Sequence, residues 1–177
     1  MSPEIYVDIG GQGYKDLADS LYVNLAKHNP NGFYFIVDPL VEEYDEVDNL
    51  AGIKPGMKHW DDFLSIFLAH YSIPLPEGLI TEVRMDLVLD FLHDWKKRYS
   101  LMQEVRRILK PSGVFNVVDF KINSGGLRTI AQVCGLQHQY SLSGSQLLVS
   151  GYPLSPCAEY FIKGGRKVEF NSFCKTK

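Results

Sequence analysis

Cysteine is scarce. The 177 residues contain three, Cys134, Cys157 and Cys174, odd in number and far apart. That count rules out a disulfide framework, and no two of them stand at metal-ligand spacing, so no metal site is expected. Reduced thiols and a cytoplasmic chain are the expectation. No apolar run is long enough to cross a bilayer, and no signal-peptide pattern stands ahead of Ile5, so no membrane is expected as a partner. No long block of one charge sign occurs. The net charge of −3 gives no bulk attraction to nucleic acid or to an anionic membrane. The densest basic group, Lys96, Lys97 and Arg98 with Arg106, Arg107 and Lys110, falls on one expected helix and reads as a solvated face. Internal repeats and low-complexity segments are absent as well.

What is present suits one globular domain covering residues 1–177. A hydrophobic fraction of 45% and a charged fraction of 22% are ordinary for a chain with a sizeable core. The densest information lies at the start, in Ile5-Tyr6-Val7-Asp8-Ile9-Gly10-Gly11-Gln12-Gly13. Residues 5–9 are nearly all apolar, as a strand buried on both faces should be. A glycine-dense turn follows, and then a helical pattern over residues 14–27, with Leu17, Leu21 and Leu25 in one stripe. Strand, glycine turn and helix in that order cradle a nucleotide-type cofactor. Glycines let the backbone approach a ligand, and a helix N-terminus offers free N–H groups. Asn29-Pro30-Asn31-Gly32 ends the helix. A second apolar strand, residues 33–37, then ends in Asp38, where a ribose-binding carboxylate would stand. Two familiar alternatives fail. The nicotinamide fingerprint needs a glycine where Asp16 stands, and a P-loop needs a Gly-Lys-Ser/Thr that is missing.

Residues 39–81 read poorly: an acidic stretch to residue 50, a turn at 53–56, a strongly apolar stretch at 60–71 and a Pro/Gly loop. A central strand hides somewhere among them. Beyond, the pattern predicts a strand at 85–89, a turn carrying Asp90, Phe91, Leu92, His93 and Asp94, and a helix over 96–109. Lys110-Pro111-Ser112-Gly113 stops that helix. A strand at 114–118 ends in Asp119, and a short helix over 126–134 has Gly135 as its cap. Residues 137–142 and 146–150, separated by Ser143-Gly144-Ser145, read as a hairpin, with a final strand at 167–170. Strands alternating with helices imply a mostly parallel α/β sheet.

Three segments together carry a resemblance. Asp8-Ile9-Gly10-Gly11-Gln12-Gly13 resembles the first motif of class I S-adenosylmethionine-dependent methyltransferases, and Val37-Asp38 their second, acidic motif. Glu104-Val105-Arg106-Arg107-Ile108-Leu109-Lys110-Pro111-Ser112-Gly113-Val114-Phe115 resembles their later helix, "LKPGG"-type turn and strand. Asp86-Leu87-Val88-Leu89 with Leu92-His93 is similar to the strand and turn before that helix. The resemblance implies a three-layer Rossmann-like sheet, mostly parallel, with an antiparallel C-terminal hairpin, and S-adenosylmethionine as cofactor. It implies that Gly10, Gly11 and Gly13 border the methionine and sugar. Asp8 would support the turn or meet the cofactor's amino group, and Asp38 would bind both ribose hydroxyls. Asp90 and Phe91 would border the methyl-transfer site.

The chain departs from the family at Gln12 and Tyr14, which hold places where the family has glycine. That departure leaves open a second reading, a non-catalytic binding or regulatory protein on the same fold. His93 is the candidate general base, set against an ordinary surface histidine. Asp119 would face the substrate or cap the next turn. The modest acidity points to a small-molecule substrate rather than nucleic acid, and a thinly covered substrate side to self-association.

Overall fold

In the computed structural model the described residues are 4–10, 21–38, 50–53 and 73–176. Their strands are β1 (Glu4–Ile9), β2 (Gly32–Val37), β3 (Leu50–Ile53), β4 (Ile80–Asp86), β5 (Leu109–Phe120), β6 (Leu136–Ser143) and β7 (Val168–Lys175). They form one sheet in the order β3-β2-β1-β4-β5-β7-β6. Strands β1 to β5 pair in parallel, and β7 runs antiparallel to both of its neighbours. The described helices are α1 (Leu21–His28), α2 (Trp95–Ile108), α3 (Lys121–Val133), α4 (Gly144–Ser150) and α5 (Pro156–Lys163). This is the expected α/β sheet, mostly parallel, with antiparallel strands at its C-terminal end.

Alternation along the strands decides what each face holds. Ile5, Val7 and Ile9 of β1, Val83 and Met85 of β4, and Phe115 and Val117 of β5 face one way. They pack under Leu101, Met102, Val105 and Ile108 of α2 and Leu127 and Ala131 of α3. Burying each such side chain fully stabilises the fold by roughly 1.5–3 kcal/mol before the entropy of ordering is subtracted. The opposite face is covered in two patches. Ala26 of α1 packs on Tyr34, Ile36 and Leu50. Leu147 of α4 and Ala158 and Ile162 of α5 pack on Val118, Val168 and Phe170. Between the patches the same face turns polar. Tyr6 and Asp8 of β1 pair with Glu82 and Arg84 of β4, and Arg84 pairs with Asn116 of β5.

Four expectations need correction. The strand placed at 85–89 runs instead over Ile80–Asp86. The chain leaves the sheet at Leu87, whose φ of 59° is left-handed. Leu87, Val88 and Leu89 are apolar because they are buried in the turn that follows, not because they lie in a strand. The hairpin partner placed at 146–150 is helix α4. Ser143 and Gln146 form a capping box that starts it, and the antiparallel partner of β6 is β7. The strand hidden in the unreadable region is β3, at the sheet's edge rather than its centre. Helix α3 begins at Lys121, ahead of Gly125 and Gly126, although each glycine weakens a helix by about 1 kcal/mol. The rest of the acidic stretch, the apolar stretch at 60–71 and the first part of the helix at 14–27 lie outside the described residues.

Candidate functional site

The strand order reverses between β1 and β4. From β1 the chain moves outward to β2 and β3, and it then returns to the other side of β1 for β4 and β5. Crossovers that depart in opposite directions leave a crevice at the carboxyl ends of those strands, where open α/β sheets take ligands. Three strand ends border it: Gly10 after β1, Asp38 after β2, and Asp86 and Leu87 at the end of β4.

Gly10 has φ 85°, a conformation that costs glycine nothing and other residues roughly 1–2 kcal/mol. Its N–H donates to the Val37 carbonyl at 2.9 Å, which ties the start of the glycine turn to the end of β2. Asp38 follows directly and is wholly buried. Asp8 is also buried, on the polar face. Burial pushes its carboxyl well above the usual range. Asp86 and Asp38 push the same way, and Arg84 pulls it back. Arg84 grips Asp86 through two bonds, from Nε to Oδ1 at 3.0 Å and from an Nη to Oδ2 at 2.8 Å. The Tyr152 ring covers the guanidinium at 4.8 Å, and the Ser155 N–H donates to Asp86 at 3.2 Å. The linker between α4 and α5 therefore closes over the end of β4. The crevice gathers the carboxyl groups of Asp8, Asp38 and Asp86 beside the guanidinium of Arg84.

On the other side of the crevice, residues Leu89–Phe91 form a single 3-10 turn. Asp90 is exposed there, as is His93 three residues beyond Asp90. Asp94 caps α2 by accepting from the Lys96 N–H at 2.8 Å, so His93 stands just ahead of a helix start. The side chain of Phe91, and Gly11 and Gly13, lie outside the described residues. The structure thus brings Asp8, Gly10, Asp38 and Asp90 to one edge of the sheet.

Asp119 does not face the crevice. It is 2% exposed, and its carboxylate accepts from the N–H groups of Leu89 at 2.9 Å and Phe120 at 2.7 Å and from Asn123 Nδ2 at 2.7 Å. Burial pushes its carboxyl upward, and those same three bonds oppose the push. The basic face expected on α2 is likewise not simply solvated. Arg98 donates to the carbonyls of Leu89 and Leu92 and to Asn123 Oδ1. Arg107 donates to the carbonyls of Ile73 and Leu75. Carbonyls of irregular backbone need donors when water is excluded, and a fork of guanidinium N–H groups supplies several at once. Sequence reasoning missed Arg84 and Asp86 as site residues. Their signal was the alternation of Glu82, Arg84 and Asp86 with Val83 and Met85, which marks a strand with one polar face.

Among the described residues, no group of His, Cys, Asp or Glu is arranged to hold a metal, and no helix is long and apolar enough to cross a membrane. No protein-family model matches the chain, and no curated protein sequence matches it. Solved structures do. One neighbour is the 16S rRNA methyltransferase KamB, at 10% identity and a TM-score of 0.65, covering 98% of this chain and 88% of that one. Another is a geranyl diphosphate methyltransferase in complex with GPP and sinefungin, at 11% identity and a TM-score of 0.62, covering 98% and 72%. A third is a SAM-dependent methyltransferase from Methanosarcina mazei, at 13% identity and a TM-score of 0.59, covering 99% and 94%. The fold is that of the class I methyltransferases. Within the methyltransferase fold, Gly10 and Asp38 occupy the ends of the first two strands, where the sequence motifs anticipated them.

Proposed function

We propose that this chain is an S-adenosylmethionine-dependent methyltransferase acting on a small molecule. One observation carries the reading. A left-handed glycine ends β1 and a wholly buried carboxylate ends β2, side by side at the point where the strand order reverses. The residues fit the cofactor's chemistry. Asp38 has two carboxylate oxygens for two vicinal hydroxyls. Asp8, held among carboxylates and pushed toward its neutral form, gains by meeting an ammonium. The cofactor supplies a methyl already activated on a sulfonium. What remains for the protein is chiefly positioning, which can lower such a barrier by roughly 7–11 kcal/mol. Gly10 admits the ligand close to the backbone, and Asp90 and Phe91 border the acceptor. His93 takes the proton that the acceptor's heteroatom loses as it attacks. The net charge of −3 supports a small acceptor over a polyanion.

The test is calorimetric titration of the purified chain with S-adenosylmethionine and S-adenosylhomocysteine, followed by turnover with a panel of small hydroxyl and amine acceptors. Saturable one-to-one binding and methyl transfer are expected. His93→Ala should lower turnover by about 10²–10⁴-fold while cofactor affinity holds. Absence of binding at millimolar ligand would overturn the reading in favour of a non-catalytic protein on this fold.

A further inference from the structure

The turn that carries Asp90 and Phe91 is held from both sides by residues that do not reach the crevice. The chain enters it through Leu87 in a left-handed conformation, an arrangement a buried leucine adopts only when its surroundings fix it. Leu87 donates its N–H to the Val118 carbonyl at 2.7 Å. Two residues later the Leu89 N–H meets the Asp119 carboxylate, on the end of the neighbouring strand. The carbonyls of the same turn, those of Leu89 and Leu92, are taken by Arg98 from α2. Asn123 joins the two halves: its amide nitrogen donates to Asp119 and its oxygen accepts from Arg98. Donors and acceptors of one short segment are thus matched by a single network spanning β5, α2 and α3.

We propose that Asp119 is a positioning residue for cofactor binding. Through its bond to the Leu89 N–H it fixes the turn that presents Asp90 to the crevice, with Arg98 and Asn123 completing the clamp. The assignment rests on the methyltransferase reading. A carboxylate suits the task because both oxygens face donors: Oδ2 faces Leu89, and Oδ1 faces Phe120 and Asn123. An amide of the same shape must turn an NH₂ toward one of those donors and lose a bond.

The test compares wild type with Asp119→Asn, Arg98→Lys and Leu50→Ala. Leu50 is buried on β3 in a cluster that holds no residue of the turn or its clamp, so its truncation destabilises the chain without touching the clamp. Amide hydrogen exchange at Leu89 and Leu92 and the affinity for sinefungin are measured at equal margins below each midpoint of unfolding. Asp119→Asn should speed exchange at Leu89 and weaken sinefungin binding, each by about tenfold. Arg98→Lys should do the same from the carbonyl side, and Leu50→Ala should do neither. Unchanged exchange at Leu89 in Asp119→Asn would overturn the proposal, as would faster exchange with undiminished affinity or an equal response in Leu50→Ala. If Asp119→Asn fails to fold, Arg98→Lys with the same two measurements decides. A wild-type chain that does not bind sinefungin would overturn the methyltransferase reading itself. Wild-type binding that survives Asp119→Asn unchanged would overturn only the role of Asp119.

Discussion

Gly113 and Ser112 are adjacent, yet exchanging each for a residue of the other kind should move stability in opposite directions. Gly113 lies where β5 enters the sheet beside β4, at the point where the pairing register shifts between Ile80 and Glu82. A Cβ at Gly113 would stand 2.8 Å from the Lys110 carbonyl oxygen and 3.0 Å from that of Ile80. Ordinary close carbon–oxygen contacts begin at about 3.3 Å, and both atoms are backbone, so the strands must part by a few tenths of an ångström. Overpacking of this kind costs about 1–3 kcal/mol. In a chain of this length that lowers the thermal midpoint by roughly 2–12 °C. Ser112, by contrast, is exposed with φ 62°. Relief of about 1–2 kcal/mol of left-handed strain outweighs the roughly 0.5–1 kcal/mol of extra chain entropy that glycine loses on folding. Ser112→Gly should therefore stabilise by about 0.5–1 kcal/mol. Urea unfolding with unchanged m-values is the assay. A Gly113→Ala protein within about 0.5 kcal/mol of wild type would refute the reasoning, since it would mean that β5 enters the sheet by another path.

Asp8→Asn should raise stability at pH 7. The folded pKa lies above the unfolded value of 3.8, so the native state keeps this proton longer, and stability is lost as pH rises through the folded pKa. The difference in midpoint between Asp8→Asn and wild type should therefore shrink toward pH 4, and a wild type that is the more stable of the two at pH 7 would contradict it. Asp38→Ala should weaken S-adenosylmethionine binding about 10- to 150-fold, through loss of about 1.5–3 kcal/mol of charge-assisted hydrogen bonding. Calorimetry showing equal affinity would remove Asp38 from the site. Ser143→Ala should cost about 1 kcal/mol by uncapping α4, read by urea unfolding, and a neutral result would argue against the capping box.

The carboxyl edge of the sheet was readable where an apolar strand ran directly into an acid or a glycine, as at Ile9-Gly10 and Val37-Asp38. In those places the apolar run and the strand end together, so local pattern suffices. It failed at β4 because burial and strand are different conditions. Leu87, Val88 and Leu89 are as buried as the strand before them, but the left-handed backbone at Leu87 has already taken them out of the sheet. The alternation Glu82, Arg84, Asp86 carried the right boundary and was masked by the apolar run after it. At residues 143–150 two local signals competed, β-favouring Leu147-Leu148-Val149 and the cap Ser143-Gly144-Ser145-Gln146. The cap won because α4 can bury Leu147 against Val118 and Phe170.

The clamp was illegible for a deeper reason. Asp119, Arg98 and Asn123 meet only because β5 lies beside β4 and α3 packs against α2, and no window of sequence holds more than two of them. Asp8 shows the same dependence. Its neighbours Asp38 and Asp86 come from strands on opposite sides of β1, 30 residues before it gains one and 78 before it gains the other. A carboxyl in a lone buried strand would be a defect, but at the reversal of strand order it stands among the polar groups of a crevice. The grouping of these residues is a property of strand order, which is why Asp8, Gly10 and Asp38 could be read one by one while the pairing of Arg84 with Asp86 beside them emerged only from the fold.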